Sequence, residues 1–133
     1  TRGMLRRLYR DNPRVTIDGS DAFWHYFQFG KVMLTFHHGH MKKKEGLPLL
    51  FASQFPEMWG ATTYRVCHTG HQHHEDLKEH SGMRVHQHPT LAARDAHSSR
   101  HGWMADRQTS CITYHEQFGK VGEVIVSPEM LTA

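Results

Sequence analysis

The residues of this chain best suited to do chemistry are Gly70-His71-Gln72-His73 and His37-His38-Gly39-His40. Neutral imidazole is a good ligand for Zn, Mn, Fe, Co and Ni. Two histidines at i and i+2 converge on one ion when the backbone bends, and Gly70 allows such a bend and a close approach of backbone to ligand. His38 brings a third imidazole to the same edge if its strand neighbours the strand that leads to His71. The chemistry on offer is therefore the binding of a divalent transition metal. The chain holds 14 histidines in 133 residues, but abundance alone is not a site.

Positioning these loops requires strands that end at them. Gly3–Arg10 reads as a helix, with Met4, Leu5 and Leu8 on one face, stopped by Asp11-Asn12-Pro13. Val15–Ile17 reads as a short strand. Residues 22–29 form an aromatic strand, Gly30-Lys31 a two-residue turn with glycine first, and Val32–Phe36 the return strand that runs out into the first histidine cluster. Pro48 suits the first turn of a helix, whose Leu47, Leu50, Phe51 and Phe55 make a core-facing stripe ending at Pro56. Thr62–Cys67 is a further strand, and it leads directly into His68-Thr-Gly-His-Gln-His-His74. Asp76–Gly82 reads as a polar turn and Met83–His88 as a short strand. Residues 90–105 mix helical and loop character. Thr109–His115 and Lys120–Val126 form a closing hairpin across Glu116–Gly119. The pattern predicts one α+β domain over residues 1–133, with a mixed sheet and two or three helices.

The ordered pair of motifs resembles the calcineurin-like metallophosphoesterases, most closely the phage and bacterial phosphoesterases of the DNA-repair exonuclease type. Gly70-His71-Gln72-His73 at a strand end resembles that family's GHxH motif. Leu34–His40 resembles the preceding strand that ends in a ligand histidine followed by Gly-His. The resemblance covers nearly the whole chain. It implies part of an αββα sandwich and a two-metal site for phosphodiester or phosphomonoester hydrolysis. By that resemblance His38 and His71 bind one metal, His73 binds the other, and His37 is the alternative to His38 if the register moves by one. His40 is a candidate to touch a substrate phosphate, and Lys42-Lys43-Lys44 reads as a solvated loop, with contact to a nucleic-acid backbone as the alternative. The family's DxH, GD and GNH motifs are missing: there is no Gly-Asp and no GNH, and Asp95-Ala96-His97 follows the GHxH instead of preceding it. The expectation is a C-terminal portion of a phosphoesterase domain that binds one metal weakly and turns over nothing alone. The alternative is a non-catalytic, histidine-rich metal-binding or assembly module. A half sandwich also predicts self-association through an open strand edge.

Composition narrows the field. A net charge of +3 is too small to argue for nucleic acid by itself. No apolar run approaches the about 20 residues that span a bilayer, and no secretory pattern stands at the start, so a cytoplasmic protein is the expectation. Cys67 and Cys111 lie outside any CxxC pair, which excludes a zinc ribbon, and both read as buried strand thiols. HExxH, GxSxG and P-loop motifs are absent, and no glutamate follows at the spacing of a cupin site. His86-Gln87-His88 is a second HxH, but it lacks a glycine bend. His25, His68, His74, His80, His97, His101 and His115 read as surface or outer groups.

Overall fold

The computed structural model describes residues 2–40, 43–71, 75–91 and 107–131. In chain order they form α1 (Arg2–Leu8), β1 (Trp24–Phe29), β2 (Val32–His37), α2 (Leu47–Gln54), α3 (Pro56–Ala61), β3 (Tyr64–Thr69), β4 (Asp76–His80), β5 (Met83–Gln87), β6 (Thr109–His115) and β7 (Gly119–Val126). The α+β class with three helices is as the sequence predicts. No described helix is long and apolar enough to cross a membrane.

β1 to β5 make one mixed sheet in the order β1-β2-β3-β5-β4. β2, β3 and β5 run parallel at its centre, and antiparallel β1 and β4 close its edges. Parallel neighbours need a crossover, and α2 and α3 supply the one between β2 and β3. Strand alternation divides the side chains between two faces. Met33, Cys67, Met83 and Val85 point to one face and pack with Leu47 and Phe51 of α2, flanked by Trp24, Leu50, Phe55, Met58 and Trp59. Proline sits in the first turn of both α2 and α3, so Pro56 ends one helix and starts the next. The last carbonyls of α3 are satisfied by the Arg65 guanidinium, which donates to Trp59 O at 2.7 Å and Thr62 O at 2.5 Å. A cation suits a helix C-terminus for this reason.

The β6–β7 hairpin lies on the opposite face. Its tip is held by Lys31 N donating to Glu116 O at 2.7 Å. Gly119, at φ +76°, lies so close to Tyr64 that a Cβ would stand 2.8 Å from the ring. Helices, sheet and hairpin thus make three layers. Phe27, Phe29 and Phe36 share the hairpin's face of the sheet and remain 58%, 39% and 43% exposed.

Three local readings change. Asp76–Gly82 is not a polar turn: Asp76–His80 is β4, and only Ser81-Gly82 turns, at φ 45° and 83°. A two-residue hairpin turn with both φ positive matches the twist of its strands. Charged residues along β4 suit a sheet edge, which is why it lacks an apolar pattern. Val15–Ile17 is irregular because it pairs with no strand. The residues that follow it are tied down by Arg2–Asp21 and His25–Asp18 contacts of 2.8 and 2.7 Å. Cys67 is buried as expected, but Cys111 is exposed on β6.

Candidate metal centres

The loops after β2 and β3 meet at two glycines. β2 and β3 are neighbours, with His37 beside Thr69 at their carboxyl ends. Gly39 adopts φ +100°, and a Cβ there would stand 2.8 Å from Gly70 O. Gly70 N donates to His38 O at 3.3 Å. This contact brings His38 and His71 together, with ring centroids 4.9 Å apart. His40 stands 4.9 Å from His38 and 6.0 Å from His71. All three rings are exposed. His71 holds φ 73°, a left-handed conformation uncommon outside glycine and of a kind that gathers at functional loops.

The structure therefore brings His38, His40 and His71 to one edge, while His73 lies outside the described residues. So do His74, His97, His101, Lys42 and the Asp95-Ala96-His97 triplet. His37, the alternative to His38, is buried. Its Nδ1 accepts a hydrogen bond from Gly39 N at 2.9 Å. Burial, with the neighbouring His40 and His38, pushes its pKa down. His37 thus shapes the loop that carries His38. Lys44 is committed to Asp76, at 2.5 Å. Thr69 Oγ1, at the end of β3, is buried and has no hydrogen-bond partner among the described residues. His38, Thr69 and Gly70 wall an open cleft of about 380 Å³.

A second histidine group lies on the hairpin face. His68 and His86 are side by side in the β3–β5 register. His88 is two residues on from His86, so it keeps to the same face. His68, His86 and His88 each bring one ring nitrogen within 4.8 Å of the others, and this group could hold a metal ion. Among the described residues no other set of three histidine, cysteine or acidic side chains converges this closely. His68 Nδ1 and His88 Nε2 are 2.7 Å apart, and His68 Nε2 is 2.9 Å from the Tyr114 hydroxyl. His86 Nε2 lies 3.4 Å from Glu75 Oε1, whose other oxygen accepts from Gln108 Nε2 at 2.9 Å. Phe36 stacks on His68 at 5.5 Å. Burial, reinforced by His88 and His86, pushes the pKa of His68 down to about 4, and burial lowers that of His88 as well. His68 and His88 are therefore driven toward the neutral state, the one that ligates metals.

The donor chemistry of the two groups can be compared directly. Zn–N bonds of about 2.0–2.1 Å in a tetrahedron place ligand nitrogens about 3.3 Å apart. The His68–His88 pair, at 2.7 Å, must open by about 0.6 Å to accept an ion, and the wider separations in the group, up to 4.8 Å, must close. His38 and His71 offer imidazoles to a borderline transition metal, but no described carboxylate joins them at ligand spacing. Sequence reading passed over His68, His86 and His88. The available signal was an HxH on a strand, where alternation alone aligns both rings without a glycine. No protein-family model matches the chain, and a search of curated proteins finds no match.

Proposed function

We propose that this chain carries the histidine side of a calcineurin-like metallophosphoesterase centre, with His38, His71 and His73 as metal ligands. The observation that carries this reading is the 4.9 Å pairing of His38 with His71, on loops leaving adjacent parallel strands and locked at Gly39 and Gly70. In open sheets with parallel strands, ligands bind outside the carboxyl ends, and both loops lie there. The exposed Phe27, Phe29 and Phe36, on the face that the β6–β7 hairpin covers only in part, further suit the inner face of a two-sheet sandwich.

Divalent ions at such a centre acidify water and stabilise phosphoryl charge. This chain's part is to supply and orient imidazoles. His37 Nδ1 fixes the turn at Gly39 and so aims His38. His40, exposed beside both ligands, can donate an N–H to a phosphate oxygen. The natural substrate class is a phosphodiester or phosphomonoester, nucleic acid included. No described carboxylate approaches His38 and His71 at ligand spacing, so the bridging groups of a two-metal centre lie outside the described residues, and on this reading the chain alone binds metal without turnover. That same observation favours the second reading, a non-catalytic metal-binding module.

The test is metal content with hydrolysis. Mn²⁺ and Zn²⁺ are titrated into wild type, His71→Ala and His73→Ala. Each variant should bind one equivalent fewer. Equal metal content in all three would remove the ligand assignment. Metal-dependent hydrolysis of a generic phosphodiester by the pure chain would refute the claim that it is inactive alone.

A further inference from the structure

We propose that His68, His86 and His88 form a second, structural site for a divalent ion of the Zn²⁺ type, which clamps the β6–β7 hairpin onto the sheet through Tyr114. The site shares no ligand with the His38–His71 loops, although His68 and His88 line the same open cleft as His38. Its ligands point to the hairpin face of the sheet, whereas the loop histidines extend from strand ends.

Three features distinguish it from a chance crowding of rings. The ligands come from rigid elements: His68 and His86 are register partners in the sheet centre, and His88 follows directly on β5. His86 is 2% exposed, deep for a side chain that carries two polar nitrogens. The ligands also have outer partners. Tyr114 takes the far nitrogen of His68, and Glu75, itself held by Gln108, faces His86. Metal-binding histidines typically use their second nitrogen in this way, which fixes the tautomer and orients the ring.

Proton placement follows. In the metal-free chain one N–H bridges His68 Nδ1 and His88 Nε2. An ion takes that place, and the bridging proton moves through solvent to a ring nitrogen that faces away from the ion, so both rings stay neutral and no net proton is released. His68 then carries its proton on Nε2 and donates it to the Tyr114 oxygen. Tyr114 belongs to β6, so metal binding tightens the hairpin's attachment. An all-nitrogen, uncharged ligand set selects Zn²⁺, Ni²⁺ or Cu²⁺ over Mg²⁺ and Ca²⁺, which demand oxygen. His68 and His88 also wall a cavity of about 630 Å³ together with Phe36 and Tyr114, with room for water or a small anion.

The experiment is a Zn²⁺ titration of the full chain, stripped with chelator beforehand, in wild type, His86→Gln/His88→Gln and His38→Ala/His71→Ala. Circular dichroism monitors folding of each. The first variant should lose one equivalent that the second retains. Retention of that equivalent by His86→Gln/His88→Gln would overturn the proposal. Because buried substitutions can unfold a chain, wild type is also followed by histidine side-chain NMR with Zn²⁺ added. Shifts at His68, His86 and His88 are expected, and shifts confined to His38, His40 and His71, or none, would overturn it. Tyr114→Phe should bind Zn²⁺ about 10-fold more weakly, and Zn²⁺ should slow amide exchange in β6 and β7 of wild type but not of this variant. Zn²⁺ binding with exchange in β6 and β7 unchanged in wild type would refute the clamp.

Discussion

Acidification of the metal-free protein should cost it stability through His68 before its carboxylates matter. The folded chain holds His68 at about 4, whereas a free imidazole titrates at 6.5. Between these values the unfolded chain binds the extra proton, so stability falls as pH falls. At about 1.4 kcal/mol per pH unit, the full gap is worth about 3 kcal/mol, of which about 2 kcal/mol is lost by pH 5. His37 and His88 are lowered too, so they act with the same sign. The lowered carboxylates Asp18, Asp21, Glu129 and Glu123, the last pulled down by Lys120 and Ser110, contribute at lower pH. Urea unfolding in chelator at pH 7.5 and pH 5 should show the midpoint falling by about 1 M, given slopes of about 1–3 kcal/mol per M for small domains. His68→Gln should remove most of this pH dependence. Equal midpoints at the two pH values, or a His68 ring proton titrating near 6.5 by NMR, would refute the burial and pairing assigned to it.

Phe51→Ala deletes a fully buried ring at the centre of the helix–sheet core and should cost about 3–5 kcal/mol, read as a fall in thermal midpoint. Gly39→Ala forces a Cβ against Gly70 O at φ +100°. It should destabilise by about 1–3 kcal/mol and weaken metal binding at His38 and His71, while Zn²⁺ shifts at His86 and His88 persist. In a thiol-reagent assay at pH 8, Cys111 should react at once, and Cys67, whose thiol is pushed up to about 11 by burial, only on unfolding. Two fast thiols would contradict that burial.

The parts of the fold legible in sequence were those that local chemistry decides. Gly30-Lys31 announces its turn, Pro48 and the Leu47–Phe55 stripe announce α2, and Glu116–Gly119 announces the last hairpin. β4 was not legible because an edge strand with charges along its length carries no apolar alternation. Val15–Ile17 has strand-forming residues but no ladder to join, and propensity without a partner forms no strand. The same divide runs through the histidines. The meeting of His38 and His71 follows from two strand-end Gly-His loops on neighbouring strands, which sequence spacing suggests. The meeting of His68 with His86 and His88 depends on β5 lying beside β3 while β4 passes to the edge. That order is a tertiary fact with no local trace.

The most direct test of the account is the count of Zn²⁺ equivalents bound by wild type and by His38→Ala/His71→Ala, both verified as folded. The variant should bind one equivalent fewer, with the equivalent held by His68, His86 and His88 still present. The same number of equivalents in both proteins would contradict the assignment of the strand-end loops as a metal centre.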